Sequence, residues 1–344
     1  MLPMCPDRTA KMSIKPMQPD GRFAAAADRH GVDNRGMTTR KYISEFGLVS
    51  VAGYRRLLQQ EHLDRVADAG IQPHIYFIGR RPRIMLEAES VKFGSEEVTG
   101  VFLIQRGMRT ERFPFVGRNF LGTTDVKLEC PYPHTEYAIR DSNGVVISNG
   151  KVALLMATIS SKFWPHLDLE VLYIGQAYGA EGERTAGIRL ASHSTLQHIY
   201  AEAIRKSPDH EIWLLLCSFD MQLLASFDGI SKNIKSTLAR DTSHIDKVVS
   251  SPITEQQQIN FTEAALIRYF QPEYNVIYKD SFPSPAHATY AQCYELDLNT
   301  LIAEINTEEL MLRIWSHAVK PKWTHFAQFA LHDAEERKAM FDLL

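Results

Sequence analysis

From Val51 to Ala69 apolar residues recur at helical spacing, and Gly70 followed by Pro73 supplies a stop, so the pattern predicts a helix there. Strand-like runs follow at His74–Ile78, Ile84–Leu86, Val98–Gln105 and Arg112–Val116. Glu136–Arg140 and Val145–Ser148 flank Asp141-Ser142-Asn143-Gly144, whose Asn-Gly pair is a hairpin turn. Beyond residue 150 the texture changes. Val152–Ile159 and Glu170–Ile174 read as a second hairpin, joined by Ser160–Leu169. Helices are predicted at Arg184–Ala191 and Thr195–Arg205, with Ser194 and Gln197 spaced as a capping box for the second. Glu211–Phe219 reads as a strand, 220–254 as a polar connection, and Thr254–Phe270 as a helix closed by Pro272. From Cys293 the chain reads as a strand or two, then as an amphipathic closing helix, "FAQFALHDAEERKAMFDLL".

These patterns divide the chain. Residues 1–38 read as a flexible arm, 39–150 as a mostly β domain with a leading helix, 151–290 as a compact α+β unit, and 291–344 as a strand-helix extension. A chain of 344 residues is long enough for more than one core. No apolar run approaches the roughly 18 residues that span a bilayer, and the first 38 residues lack the apolar stretch of a secretory signal. The four cysteines, Cys5, Cys130, Cys217 and Cys293, form no C-x-x-C pair, which points away from zinc or a disulfide framework and fits a reducing cytoplasm. The net charge of −3 argues against indiscriminate nucleic-acid binding. Its distribution is uneven: residues 1–150 hold 21 Lys and Arg against 17 Asp and Glu, whereas residues 151–295 hold 12 against 16. The N-terminal half is therefore expected to supply phosphate contacts if the chain binds nucleic acid.

The stretch "LEVLYIGQAYG", residues 169–179, ends a buried-looking strand in a phenol and a glycine and passes into a loop with Gly179 and Gly182. A tyrosine at a strand end can relay or accept a proton from an activated water. Glu263, near the start of a helix otherwise lined by Ala264, Leu266, Ile267 and Phe270, can offer a carboxylate to a hard cation such as Mg²⁺. Arg189 and His193 are four apart and share a face of any helix that carries both, so both could address one phosphate.

In order along the chain, "YIG" at 173–175, "RLASH" at 189–193 and "FTEAALIRYFQPEYN" at 261–275 together resemble the GIY-YIG nuclease superfamily, over about residues 150–280. The resemblance implies a small mixed sheet of three strands flanked by helices, and a metal-dependent endonuclease that hydrolyses phosphodiester bonds in DNA with Mg²⁺ or Mn²⁺. It implies that Tyr173 handles the proton of the attacking water, that Glu263 holds the metal, that Arg189 clamps the scissile phosphate and that His193 orients a proton. Arg184, Gln176 and His198 are implied as substrate contacts, and Asn275 as the asparagine that props the site. The sequence departs from the pattern at one point. The first strand of the family carries Gly-Ile-Tyr, and the corresponding run here, "VALLMATIS", has no tyrosine. Either a neighbour such as Tyr178 or His166 substitutes, or the domain is a catalytically weak or inactive nucleic-acid or protein-binding module; in either case a protein partner or a homo-oligomer is compatible with the chain.

Overall fold

The structure, a computed structural model, describes residues 39–63, 73–177, 194–227, 234–284, 291–333 and 337–341. Its strands are β1 (Ser44–Leu58), β2 (Ile75–Pro82), β3 (Ile84–Leu86), β4 (Lys92–Phe93), β5 (Glu97–Arg106), β6 (Arg109–Arg118) and β7 (Val126–Glu129). They continue with β8 (Glu136–Asp141), β9 (Val146–Lys151), β10 (Leu169–Gln176), β11 (His210–Phe227), β12 (Thr300–Asn306), β13 (Ile314–Trp315) and β14 (Thr324–Ala330). The helices are α1 (Val152–Ile159), α2 (Ser194–Lys206), α3 (Leu238–Ser250), α4 (Glu255–Phe270) and the short α5 (Ala291–Glu295). No helix among the described residues is long and apolar enough to cross a membrane.

The fold is mixed α/β, but its centre is one seven-stranded sheet in the order β13-β10-β2-β11-β1-β12-β14, not a sheet of three. Its strands come from every stretch that the sequence suggested as a separate domain, and residues 38–344 form one compact unit. The expected strand at Val152–Ile159 is the helix α1. Five consecutive helix formers, Ala153 to Ala157, favour that outcome, and burial of Val152, Ala153, Met156 and Ala157 follows one helix face. The strand that pairs with β10 is instead β2, more than eighty residues upstream, and β2 lies between β10 and β11.

Two further expectations are corrected. The helix predicted from Val51 is, as far as Leu58, the second half of β1, which pairs antiparallel with β11 and parallel with β12, and residues 64–69 of that stretch lie outside the described residues. Phe46, Leu48, Ser50 and Ala52 are buried on alternate positions, and an irregularity between Ala52 and Arg55 then shifts the phase. A bulge that adds a residue to a period of two makes the apolar spacing look helical. At the other end, the predicted closing helix begins instead as β14, with His325 and Ala327 buried and Phe326 and Gln328 exposed in strict alternation, and residues 334–336 and 342–344 of that stretch lie outside the described residues. The polar connection after Phe219 also holds the rest of β11 and the helix α3.

Helix α4 forms as read. Thr254 and Gln257 make a reciprocal capping box at its start, and Gln271 in the left-handed conformation ends it ahead of Pro272. The sheet's two faces have separate apolar contacts. Phe77, Val171, Ile174, Trp213 and Leu215 pack with Phe261, Ala264, Leu266 and Phe270 of α4. Tyr76, Ile78, Leu172, Leu214 and Leu216 pack with Leu196 and Ile199 of α2. Between β2 and β10 the chain builds two small sheets, one of β3, β5, β4 and β6 and one of β7, β8 and β9, the last two joined by the expected Asn-Gly hairpin.

Candidate functional site

The site begins with a bulge. Val171 pairs with Gly79 and Tyr173 with Ile78, so Leu172 is the extra residue in β10 and both Leu172 and Tyr173 turn toward the α2 face. Without it, Tyr173 would alternate to the side packed by α4. Bulges re-aim side chains in this way. On β2, Tyr76 projects to the same face, and it stands directly opposite Gly175. Because Gly175 has no side chain, the Tyr76 phenol lies over its backbone. A Cβ there would come within 2.6 Å of Tyr76 Oη and 2.8 Å of Tyr173 Cε1. The two phenol rings are 6.2 Å apart, tilted by 32°. Tyr76 is fully buried and Tyr173 is half-buried.

Of the two stand-ins named for the phenol missing from "VALLMATIS", Tyr178 lies outside the described residues and His166 stands among the small sheets. The His166 ring rests 4.5 Å from Phe113 and its Nδ1 is 3.3 Å from Arg106 Nη2, both in the small sheets. A phenol does stand beside Tyr173: it is Tyr76, in "HIYFIG", on the paired strand β2.

The edge of β10 beyond β13 is finished by the turn after α4. Tyr274 N donates to Leu172 O at 3.0 Å. The buried Asn275 carboxamide accepts from Ile174 N at 2.9 Å and donates to Ile174 O at 2.8 Å, replacing a strand with one side chain. Asn275 thus ties the end of β10 to the turn after α4. Tyr274 reaches back to α2, where its hydroxyl donates to Glu202. Burial and this bond both push the Tyr274 pKa up, while Glu202, held by Lys206 and then by Tyr274, is lowered to about 2. The exposed His198 ring stands edge-on to Tyr274 at 5.9 Å, which puts it on the phenol face of the sheet.

Gln176 does not point to that face. Its amide donates to Asn260 Oδ1 of α4 at 2.9 Å. Glu263, one turn further along α4, is only 8% exposed. Its helix covers the sheet face opposite Tyr76 and Tyr173, so the phenols and the helix that carries Glu263 lie on different sides of β10. Arg184, Arg189 and His193 lie outside the described residues.

A second acidic group, Glu61, His62 and Glu136, brings its ligand atoms close together. Lys151 already neutralises it: Nζ is 2.5 Å from Glu61 and also pairs with Glu136. Burial works against the lysine's charge, but the two carboxylates outweigh it and raise its pKa, and Glu61 is lowered mainly by the bond to Lys151. A cation from the protein therefore stands where a metal would.

Comparison with family models, with curated proteins and with solved structures found no match.

Proposed function

We propose that this chain is a metal-dependent endonuclease of the GIY-YIG type acting on DNA. The observation that carries the reading is the meeting of Tyr76 and Tyr173 over Gly175 on adjacent antiparallel strands, because the resemblance calls for two phenols on such a pair. Support also comes from the order of elements after β10, with α2, β11 and α4 in sequence and Asn275 bonded to the strand end. Phosphodiester hydrolysis needs an activated water, compensation for charge on the phosphoryl oxygens and a proton for the leaving oxygen. In this reading half-buried Tyr173 takes the water's proton, and Tyr76 beneath it fixes the ring. Arg189 and His193 address the phosphate. Glu263 is the oxygen donor that suits Mg²⁺ or Mn²⁺, which bind through one or two carboxylates and keep several waters; the ion, when bound, supplies charge compensation.

A second reading is favoured by one observation. Glu263 sits on the helix that covers the face opposite the phenols, as in a fold kept for binding rather than for cutting. The purified protein with Mg²⁺ or Mn²⁺, tested on plasmid, branched and single-stranded DNA, separates the two. The nuclease reading expects metal-dependent nicking that Glu263→Gln removes while DNA binding survives. Binding without cutting of any substrate supports the module.

A further inference from the structure

The segment between β2 and β10 forms a partly open pocket of about 240 Å³ that the strand site does not use. Its walls are apolar and come from both small sheets and α1: Leu86, Phe115, Leu128, Ile139 and Leu155 among them. Protein interiors are packed densely enough that voids larger than a water are few. Apolar voids of this order stay dry and accept apolar guests. Ligand pockets characteristically combine such walls with a small number of placed polar groups.

Three polar features define the guest. Tyr137 Oη and Ser148 Oγ, both in the lining, are 3.4 Å apart, and each has capacity for another hydrogen bond. Arg118 is exposed and also lines the cavity, so it stands at the mouth. In the same segment Arg106, Arg112 and Arg140 each hold a carboxylate, at 3.3, 2.6 and 2.9 Å. Arg118 makes no ion pair among the described residues, not even with Glu97, its cross-strand neighbour on β5. Its guanidinium lies 5.4 Å from the ring of exposed Phe120. The mouth is also preformed. Asn119 is buried and donates to Gly94 O at 2.8 Å and Thr123 O at 3.0 Å, while it accepts from Leu121 N at 3.0 Å.

We propose that this cavity binds a small amphipathic carboxylate, with its apolar body between the two small sheets and its charge at Arg118. The test titrates octanoate and indole-3-acetate into the full chain, with octanol and indole as neutral counterparts, and follows the unfolding midpoint. The acids are expected to raise the midpoint saturably and to bind more tightly than their neutral counterparts. Arg118→Ala, at an exposed position, is expected to leave the unliganded midpoint unchanged and to weaken the acids about fivefold, with no effect on octanol or indole. Val98→Trp, which fills the cavity, is expected to remove protection by all four. The proposal is overturned by the absence of a saturable shift with either acid, by equal binding of acid and neutral counterpart, or by protection that survives Val98→Trp. If Val98→Trp does not fold, the Arg118→Ala comparison decides alone.

Discussion

Gly175 is the residue on which the geometry of the strand site turns. Any side chain there would meet Tyr76 Oη at 2.6 Å and the Tyr173 ring at 2.8 Å, and both sit in a packed face. Gly175→Ala is therefore expected to destabilise the protein by about 1–3 kcal/mol, the usual result of overpacking, and to displace the two phenols. Urea denaturation measures the first effect, and the near-ultraviolet tyrosine signal the second. Asn275 is the complementary case. Its carboxamide satisfies both backbone groups of Ile174 in a buried setting, and Asn275→Leu would leave both unpaired. Each orphaned buried group costs about 1–3 kcal/mol, so the loss should exceed that of Gly175→Ala. Equal stability of Asn275→Leu and wild type would show that the edge of β10 needs no such support.

Among the elements, β10, β11 and α4 were legible in the sequence, because β10 and β11 carry compact apolar runs and α4 has its cap and its stop. What was hidden depended on distant partners. The bulge in β1 broke the two-residue period, and α1 presented a short apolar run that periodicity alone cannot assign. The candidate site was half legible: Tyr173 and Asn275 stood in recognisable local motifs. Tyr76 joins them only because β2 pairs across an intervening segment of two small sheets. One histidine links the late strands to α4. The buried His325 ring donates from Nε2 to Ile314 O at 3.0 Å and also approaches Lys322 O at 3.2 Å, while the Tyr269 hydroxyl meets Nδ1 at 3.3 Å. Burial lowers its pKa to about 4, against the opposing pull of those carbonyls. The unfolded chain, with a histidine pKa near 6.5, then binds more protons than the folded one between about pH 4 and 6.5. Stability should be complete above that window and decline as pH falls through it. His325→Gln should flatten this acid limb in denaturation midpoints measured from pH 7 to 4.5; an unchanged limb would place the dependence elsewhere.

For the whole molecule, β1 and β2 carry the N-terminal half into the interior of the seven-stranded sheet. The arginines of that half carry less free charge than their number suggests. Residues 83–150 hold eight Lys and Arg against nine Asp and Glu, and Arg106, Arg112 and Arg140 are paired. Replacing these three with alanine is expected to change DNA affinity and its salt slope little, whereas a slope reduced by two or more units would show that they contact phosphates. The role of the two phenols is decided by the single-turnover rate of DNA cleavage with Mg²⁺ or Mn²⁺ for wild type, Tyr173→Phe and Tyr76→Phe, with DNA affinity recorded in parallel. Loss of a group that transfers a proton in the transition state slows reactions by roughly 10²–10⁴-fold. A loss of that order is expected in Tyr173→Phe, a smaller one in Tyr76→Phe, and affinity within about twofold of wild type in both, since phosphate contacts carry most of the binding. Cleavage at the wild-type rate in Tyr173→Phe would remove this phenol from the chemistry and with it the proposed nuclease site.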